Sequence, residues 1–281
     1  MSTGMVLEGG AMRGMFTAGV LDVMMENDIK VDGYAGVSAG VTFGCNYKSH
    51  QIGRAIRYNK RYGRDWRYCS VASLILTGDL YGARFCYETI PFSLDPFDLK
   101  TFRSNPVRFY AVMTDVETGG PVYAELKEGS GIDMLYIRAS ASMPLVSKPV
   151  EIMGRKYLDG GMSDSIPLRF MQKKGYDKNV VVLTQPPGFV KPPVSHMKLI
   201  RMVLRKYPGA AKAMAKRHLV YNKELALIKE CEQNGSVFVI QPPESLGISH
   251  TESDPNELQR VYDIGRRTME AKLTELKDFI S

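Results

Sequence analysis

Gly36-Val37-Ser38-Ala39-Gly40 stands where an apolar stretch gives way to a run of small residues. In a G-x-S-x-G turn between a strand and a helix, the flanking glycines permit a sharp reversal. The serine hydroxyl is then held exposed at the strand's carboxyl end, facing a helix N-terminus. Such a hydroxyl is suited to nucleophilic attack on a carbonyl, although the same residues also suit a plain turn in which the serine caps a helix. Gly9-Gly10-Ala11-Met12-Arg13-Gly14 has the same setting, after a strand and ahead of a helix. Glycines there let a backbone approach a ligand, and the free N–H groups of a first helical turn attract negative charge. Three readings compete: an oxyanion site for acyl transfer, a degraded dinucleotide fingerprint (Gly9-x-Ala11-x-x-Gly14), or a structural turn. The dinucleotide reading wants an acid at the end of the second strand to hold a ribose. That strand ends in Gly36 and Ser38, and the nearest acid, Asp32, lies at or before its start.

A nucleophilic serine needs a base. His196, His218 and His250 follow Ser38, as a Ser-Asp-His order requires, but none of them, nor His50, falls in a clear strand-end loop. A carboxylate is the other option. Tyr157-Leu158-Asp159-Gly160-Gly161 places an acid directly after a short apolar run, where an ordinary Asp-Gly turn is the plainer reading.

The elements that would have to position these residues alternate between strand and helix signals. Gly4 to Leu7, Lys30 to Val37, Val107 to Met113, Val180 to Leu183 and Val237 to Ile240 read as strands, with Pro121 to Ala124 a neighbour of the third. Phe16 to Asn27, Met197 to Glu232 and Pro255 to Phe279 carry helical spacing. This predicts an α/β fold of three layers, a largely parallel central sheet flanked by helices. The expected division is a catalytic domain over residues 4–185 and a mainly helical extension over 186–281 packed on it.

Taken in order, the Gly9–Gly14, Gly36–Gly40 and Asp159–Gly161 stretches resemble the three signatures of the patatin-like phospholipases. Ala139-Ser140-Ala141-Ser142-Met143-Pro144, with Pro149-Val150 after it, resembles that family's stretch ahead of its aspartate. The resemblance spans roughly residues 4 to 185. It implies a serine–aspartate dyad in which Ser38 is the nucleophile and Asp159 its general base. It implies as well that the N–H groups around Gly9, Gly10 and Ala11 form the oxyanion hole, with Arg13, Gly14, Gly36, Gly40, Gly160 and Gly161 completing the motifs. One residue departs from the pattern: Ala11 stands where the family usually keeps a third glycine, and alanine resists positive φ. A free aspartate is too weak a base for serine, so the dyad requires a water-poor setting that raises its pKa.

The remaining features concern partners. The chain has 37 Lys and Arg against 30 Asp and Glu, a net +7, which biases it toward anionic partners. Tyr58, Tyr62 and Trp66 recur every four residues among arginines, as an amphipathic helix packing its aromatics inward would have them, or as a lipid-facing segment. Lys198, Arg201 and Arg205 mark a second basic helix, and Lys212, Lys216 and Arg217 extend its charge. No zinc-finger, RNP or basic-zipper pattern accompanies these, so nucleic acid is not an expected partner. The four cysteines form no C-x-x-C pair, which suggests no metal site and fits a reducing compartment. The expectation is a cytoplasmic lipid-ester hydrolase with no cofactor, in possible peripheral contact with anionic membrane. A non-catalytic lipid-binding protein that keeps the fold is the main alternative, and a Rossmann-type oxidoreductase a distant one.

Overall fold

In the structure, a computed structural model that describes residues 2–281, an eight-stranded sheet carries the molecule. Its strands are β1 (Thr3–Leu7), β2 (Gly33–Val37), β3 (Arg108–Asp115), β4 (Pro121–Leu126), β5 (Val150–Ile152), β6 (Arg155–Asp159), β7 (Lys178–Val182) and β8 (Val237–Ile240). The α-helices are α1 (Gly14–Glu26), α2 (Ala39–Lys48), α3 (Arg54–Tyr62), α4 (Val71–Thr77), α5 (Leu99–Ser104), α6 (Ile132–Ser140), α7 (Leu168–Lys173), α8 (Met197–Val203), α9 (Pro208–Gln233), α10 (Pro255–Ala271) and α11 (Leu273–Ile280), with a π-helix over Phe85–Leu94. Parallel pairing joins β3, β2, β1, β7 and β8 in that order across the sheet. The antiparallel strands β4, β5 and β6 gather at the β3 side.

Alternation along the central strands explains the three layers. Met5 and Leu7 of β1 with Val180 and Val182 of β7 join one core, whereas Val6 and Val181 join the core on the opposite face. Because both faces are covered, these strands read as unbroken apolar runs. The first core packs under α1, α2 and α10, and the second holds Met171 of α7 with Tyr221 and Ile228 of α9. α1 is buried from Gly14 to Met25, with no polar face, because it is clamped between the sheet and α10. A Cβ on Gly19 would lie 2.2 Å from the Tyr262 carbonyl oxygen, and one on Gly265 2.1 Å from that of Phe16. The two helix backbones therefore touch, and only glycine permits it.

One feature of the sheet places the site. β4 and β6 both pair with β3 at Met113, so they occupy opposite edges of that strand. β2 and β4 overlap on β3 as well, and are opposed for the same reason. β2 and β6 must then share one edge. β2 runs parallel to β3 and ends opposite Val112, while β6 runs antiparallel and ends opposite Met113. Two chain segments more than a hundred residues apart thus meet end to end.

Several sequence expectations need correction in detail. The long C-terminal helical run is broken at Pro208, which lacks an N–H and starts α9 as a first-turn residue. The closing run is two helices meeting at Lys272. α3 buries Tyr58 and Tyr62 but ends there, so Trp66 lies past it and is 52% exposed. Arg54 on α3 is not solvated either, being buried in an ion pair with Asp95 at 3.3 Å. Residues beyond 185 supply β8 to the sheet and α9 and α10 to its two faces.

If the α1–α10 contact belongs to the main folding unit, Gly265→Leu should cost about 1–3 kcal/mol through overpacking. Urea unfolding should show a lower midpoint with the slope unchanged; a separate early transition confined to the C-terminal helices would show instead that they unfold on their own.

Candidate active site

Ser38 sits in the turn between β2 and α2 with φ of 53° and ψ of −119°, a conformation that L-residues rarely adopt. The turn is tight because its flanking glycines are pressed on backbone. A Cβ on Gly36 would meet the Gly40 carbonyl at 2.7 Å, and one on Gly40 the Leu7 carbonyl at 2.4 Å. The hydroxyl group of Ser140, the last residue of α6, closes the gap where β2 stops. Its Oγ donates to the Val112 carbonyl at 2.6 Å and accepts the Ser38 N–H at 3.0 Å.

Asp159 reaches the same point along β6. Its N–H donates to the Ser142 carbonyl at 2.8 Å, its carbonyl accepts from Thr114 Oγ1 at 2.8 Å, and its Oδ1 accepts the Gly161 N–H at 2.7 Å. The junction with β3 is so close that a Cβ on Gly160 would lie 2.2 Å from the Val112 carbonyl. The carboxyl is only 6% exposed. Burial pushes its pKa above the ordinary value of 3.8, opposed by the neighbouring Ser38 hydroxyl, the charge of Arg217 and the Gly161 N–H. The structure thus brings Ser38 and Asp159 together.

The loop after β1 forms the third side. Glu8, buried at the end of β1, accepts from the Thr184 N–H at 2.6 Å and Oγ1 at 3.1 Å, and from Tyr221 Oη at 2.7 Å. That carboxylate ties the loop to the end of β7 and to α9. Gly9 backs directly onto Ser38, where a Cβ would stand 2.9 Å from the serine Cβ. Gly10 and Ala11 head the short 3-10 turn Ala11–Arg13, and among the described residues their N–H groups have no backbone acceptor. Ala11 takes φ of 48°, the left-handed conformation that glycine would adopt without strain. Gly14 lets α1 lie against Ala39 and Phe43 of α2.

Two cavities open at Ser38. One is lined mostly by apolar groups, among them Phe43, Tyr58, Ile90, Phe97 and Ile137. The other includes Asp159 and also Arg13, Lys191, Arg217 and His250. The sequence gives no sign that Lys191 belongs here, offers His250 only as one of three histidines that follow Ser38, and marks Arg217 only as an extension of a basic helix's charge. Arg13 Nη1 donates to His250 Nε2 at 3.0 Å, which makes that nitrogen the acceptor of a neutral ring. Arg217 Nε donates to the Gly161 carbonyl at 2.6 Å. Among the described residues no group of three or more His, Cys, Asp or Glu side chains is arranged to hold a metal.

The patatin-like phospholipase family model matches residues 5–171. The chain belongs to the patatin-like phospholipase family. A second family model, a domain of unknown function (DUF6363), matches residues 207–281. An uncharacterized protein of Escherichia coli (strain K12), YjjU, is 27% identical over 269 residues, which cover 93% of this chain and 74% of that protein. Lysophospholipase NTE1 of Debaryomyces hansenii is 30% identical over 179 residues, and lysophospholipase nte1 of Aspergillus fumigatus 30% over 190. These matches cover 62% and 63% of this chain but only 11% of either lysophospholipase. The crystal structure of VipD from Legionella pneumophila is a remote likeness, with a TM-score of 0.44 and 12% identity over 96% of this chain and 67% of that one. Within the patatin-like match fall Ser38, Asp159 and the Gly9–Ala11 loop, whereas Lys191, Arg217 and His250 lie beyond it.

The raised pKa of Asp159 carries a stability consequence with a definite sign. The unfolded chain ionises near 3.8 while the folded chain still holds the proton, so this group lowers stability as pH rises from there through the folded value. Asp159→Asn should therefore melt at a higher temperature than wild type at pH 8, with the gap narrowing toward pH 4. A gap independent of pH would show that the carboxyl bears no burial cost.

Proposed function

We propose that the protein is a serine hydrolase of lipid carboxylic esters, with Ser38 as nucleophile and Asp159 as general base. The observation that carries this reading is the meeting of a half-buried serine and a desolvated carboxyl beside unclaimed backbone N–H groups, at the mouth of an apolar cavity. The family membership and the lysophospholipase relatives support it.

The chemistry follows from the placement of the groups. Ser38 Oγ attacks the ester carbonyl while its proton passes to the free Oδ2 of Asp159, since Oδ1 is held by Gly161. The carbonyl oxygen becomes an oxyanion that accepts from the N–H groups of Gly10 and Ala11, whose partial charge is fixed before the reaction begins. Collapse breaks the ester C–O bond, and the alcohol leaves with the proton from Asp159. Water then attacks the acyl-serine, giving one proton to Asp159 and freeing the acid, and Ser38 recovers that proton. Desolvation makes Asp159 a stronger base than a free aspartate, which this scheme needs. The apolar cavity takes the acyl chain, because its lining is dominated by apolar and aromatic side chains.

The same reading gives the protein a membrane-facing side. Among the described residues no helix is long and apolar enough to cross a membrane. α4, however, exposes Val71, Ile75 and Leu76 at 67%, 78% and 70%, shortly after the exposed Trp66. It belongs to the excursion between α3 and α5 whose Tyr68, Tyr87 and Ile90 line the apolar cavity. Exposed apolar side chains on a segment that also lines the cavity suit a lipid interface.

Two experiments test this. Ser38→Ala and Asp159→Asn should each lose about 1000-fold or more of ester turnover, and Ser38→Ala should also lose labelling by a fluorophosphonate probe, while His218→Ala keeps both. Absence of labelling in the wild type would favour a lipid-binding protein without turnover. For the interface, Ile75→Asp combined with Leu76→Asp should cut hydrolysis of phospholipid vesicles about ten-fold or more, given the apolar burial lost. Hydrolysis of a soluble short-chain ester should hold, and a parallel fall of both activities would remove α4 from any membrane role.

A further inference from the structure

Met214, Arg217 and Tyr221 recur at helical spacing on α9, and all three line the pocket that includes Asp159. Tyr221 Oη donates to Glu8, the residue ahead of the Gly9–Ala11 loop, at 2.7 Å. Arg217 Nε donates to the Gly161 carbonyl at 2.6 Å, which Ser165 Oγ also reaches at 2.9 Å. The N–H of the same Gly161 donates to Asp159 Oδ1 at 2.7 Å, so the turn that Arg217 clamps is the turn that fixes the carboxyl. Gly161 also leaves room for charge to act. A Cβ there would stand 3.0 Å from Asp159 Oδ1 and 3.5 Å from Arg217 Nη2, so the guanidinium and that oxygen border one small space. Among the described residues the two form no direct ion pair. The other charged or titratable groups of this cationic pocket are Arg13, Lys191, His250, Glu8 and Tyr221. Glu8 is occupied by Thr184 and Tyr221. Lys191 is held down to about 8 by burial, then by Arg217 and Arg13, and His250 is lowered by desolvation and by the neighbouring cations. Tyr87, on the apolar side, is pushed up by its own burial, and Glu224, further along α9, by burial and by Asp164. Of the cations, Arg217 is the one whose charge counts at Asp159 against the effect of burial.

We propose that Arg217 is a positioning residue for Asp159, one that clamps the Gly160–Met162 turn and keeps a positive charge on the Oδ1 side of the carboxylate, leaving Oδ2 to take the Ser38 proton. This role rests on the hydrolase reading above. It gives the segment matched by the domain of unknown function, residues 207–281, a part in the chemistry. A buried base is useful only if it is ionised when the substrate arrives, and desolvation by itself favours the neutral acid. A cation at short range favours the carboxylate, whereas one in direct contact would hold it ionised so firmly that it would be a poor base. Arg217 stands between these limits, because its Nε is committed to the Gly161 carbonyl while its charge stays beside Oδ1.

The test follows kcat/KM for a soluble short-chain ester from acid to mildly alkaline pH. Without the Arg217 charge, Asp159 stays protonated to higher pH. Arg217→Met should therefore move the acid limb of the profile up by about one pH unit, and Arg217→Lys should bring it most of the way back. A merely structural clamp would instead lower turnover by the same factor at every pH. An acid limb that stays at the wild-type position, or a shift that Arg217→Lys leaves in place, overturns the proposal. Should Arg217→Met fail to fold, Arg217→Gln, which keeps an N–H donor but no charge, is read in the same way. A second arm needs no turnover and reads Asp159 alone, apart from Lys191 and His250. Asp159→Asn should raise the melting temperature at pH 8 more in the charge-free Arg217 background than in wild type, because ionising the buried carboxyl costs more without the cation. Equal gains in the two backgrounds overturn the proposal. If wild type hydrolyses no ester, the hydrolase reading fails, and unequal gains still support the hold of Arg217 on Asp159.

Discussion

The structure depends on a vacancy in the sheet, the place on one edge of β3 where β2 stops at Val37 and β6 arrives from the opposite direction. Parallel pairing cannot continue past that point, because the chain must turn to build α2, and the backbone groups left over need partners. The Ser140 hydroxyl supplies them, bridging the Val112 carbonyl and the Ser38 N–H. Without that bridge, Ser38, already at positive φ, would also leave a polar group unsatisfied. The candidate site lies at this gap, where strand ends can present side chains that continuous strands would bury.

The same junction sets the chemistry against stability. A carboxyl only 6% exposed is costly to ionise, and the fold compensates by aiming the Gly161 N–H at it and holding Arg217 nearby. Similar strain recurs at Ser38 and at Ala11, both at positive φ. Ala11 bears the conformation that a glycine there would take freely, at a cost of about 1–2 kcal/mol. Neighbouring contacts hold the loop in place: Glu8 with Thr184 and Tyr221, and Gly9 packed on Ser38.

These features differ in how far a reader of the residues alone can see them. Gly9, Gly10, Gly36 and Gly40 were legible because each answers a local steric demand, and the apolar strand runs were legible because both sheet faces are covered. The pairing of Ser38 with Asp159 came from family resemblance, since the residues between them say nothing about which edge of β3 receives β6. The cationic pocket was harder still. Lys191, Arg217 and His250 come from three separate segments, and Arg217 on α9 follows the same helical spacing as solvated charges. Trp66 continued the four-residue rhythm of Tyr58 and Tyr62, but periodicity does not show where a helix stops. Pro208 did carry such a signal, and the break between α8 and α9 was readable there.

The limits of the patatin-like match do not coincide with the limits of the core. Residues 5–171 hold β1 to β6 and α1 to α7 almost whole, yet the strand that pairs with the other edge of β1 is β7, which lies past them. Thr184, just beyond β7, is what holds Glu8, and Glu8 in turn anchors the Gly9–Ala11 loop. α10 covers an α1 that has no polar side to offer water, and α9 covers the opposite face through Tyr221 and Ile228. The segment beyond the match is therefore a structural component of the site. The same helix α9 that closes the second core also carries Arg217 to the carbonyl of Gly161, so burial of apolar surface and placement of charge at the site are accomplished by one element.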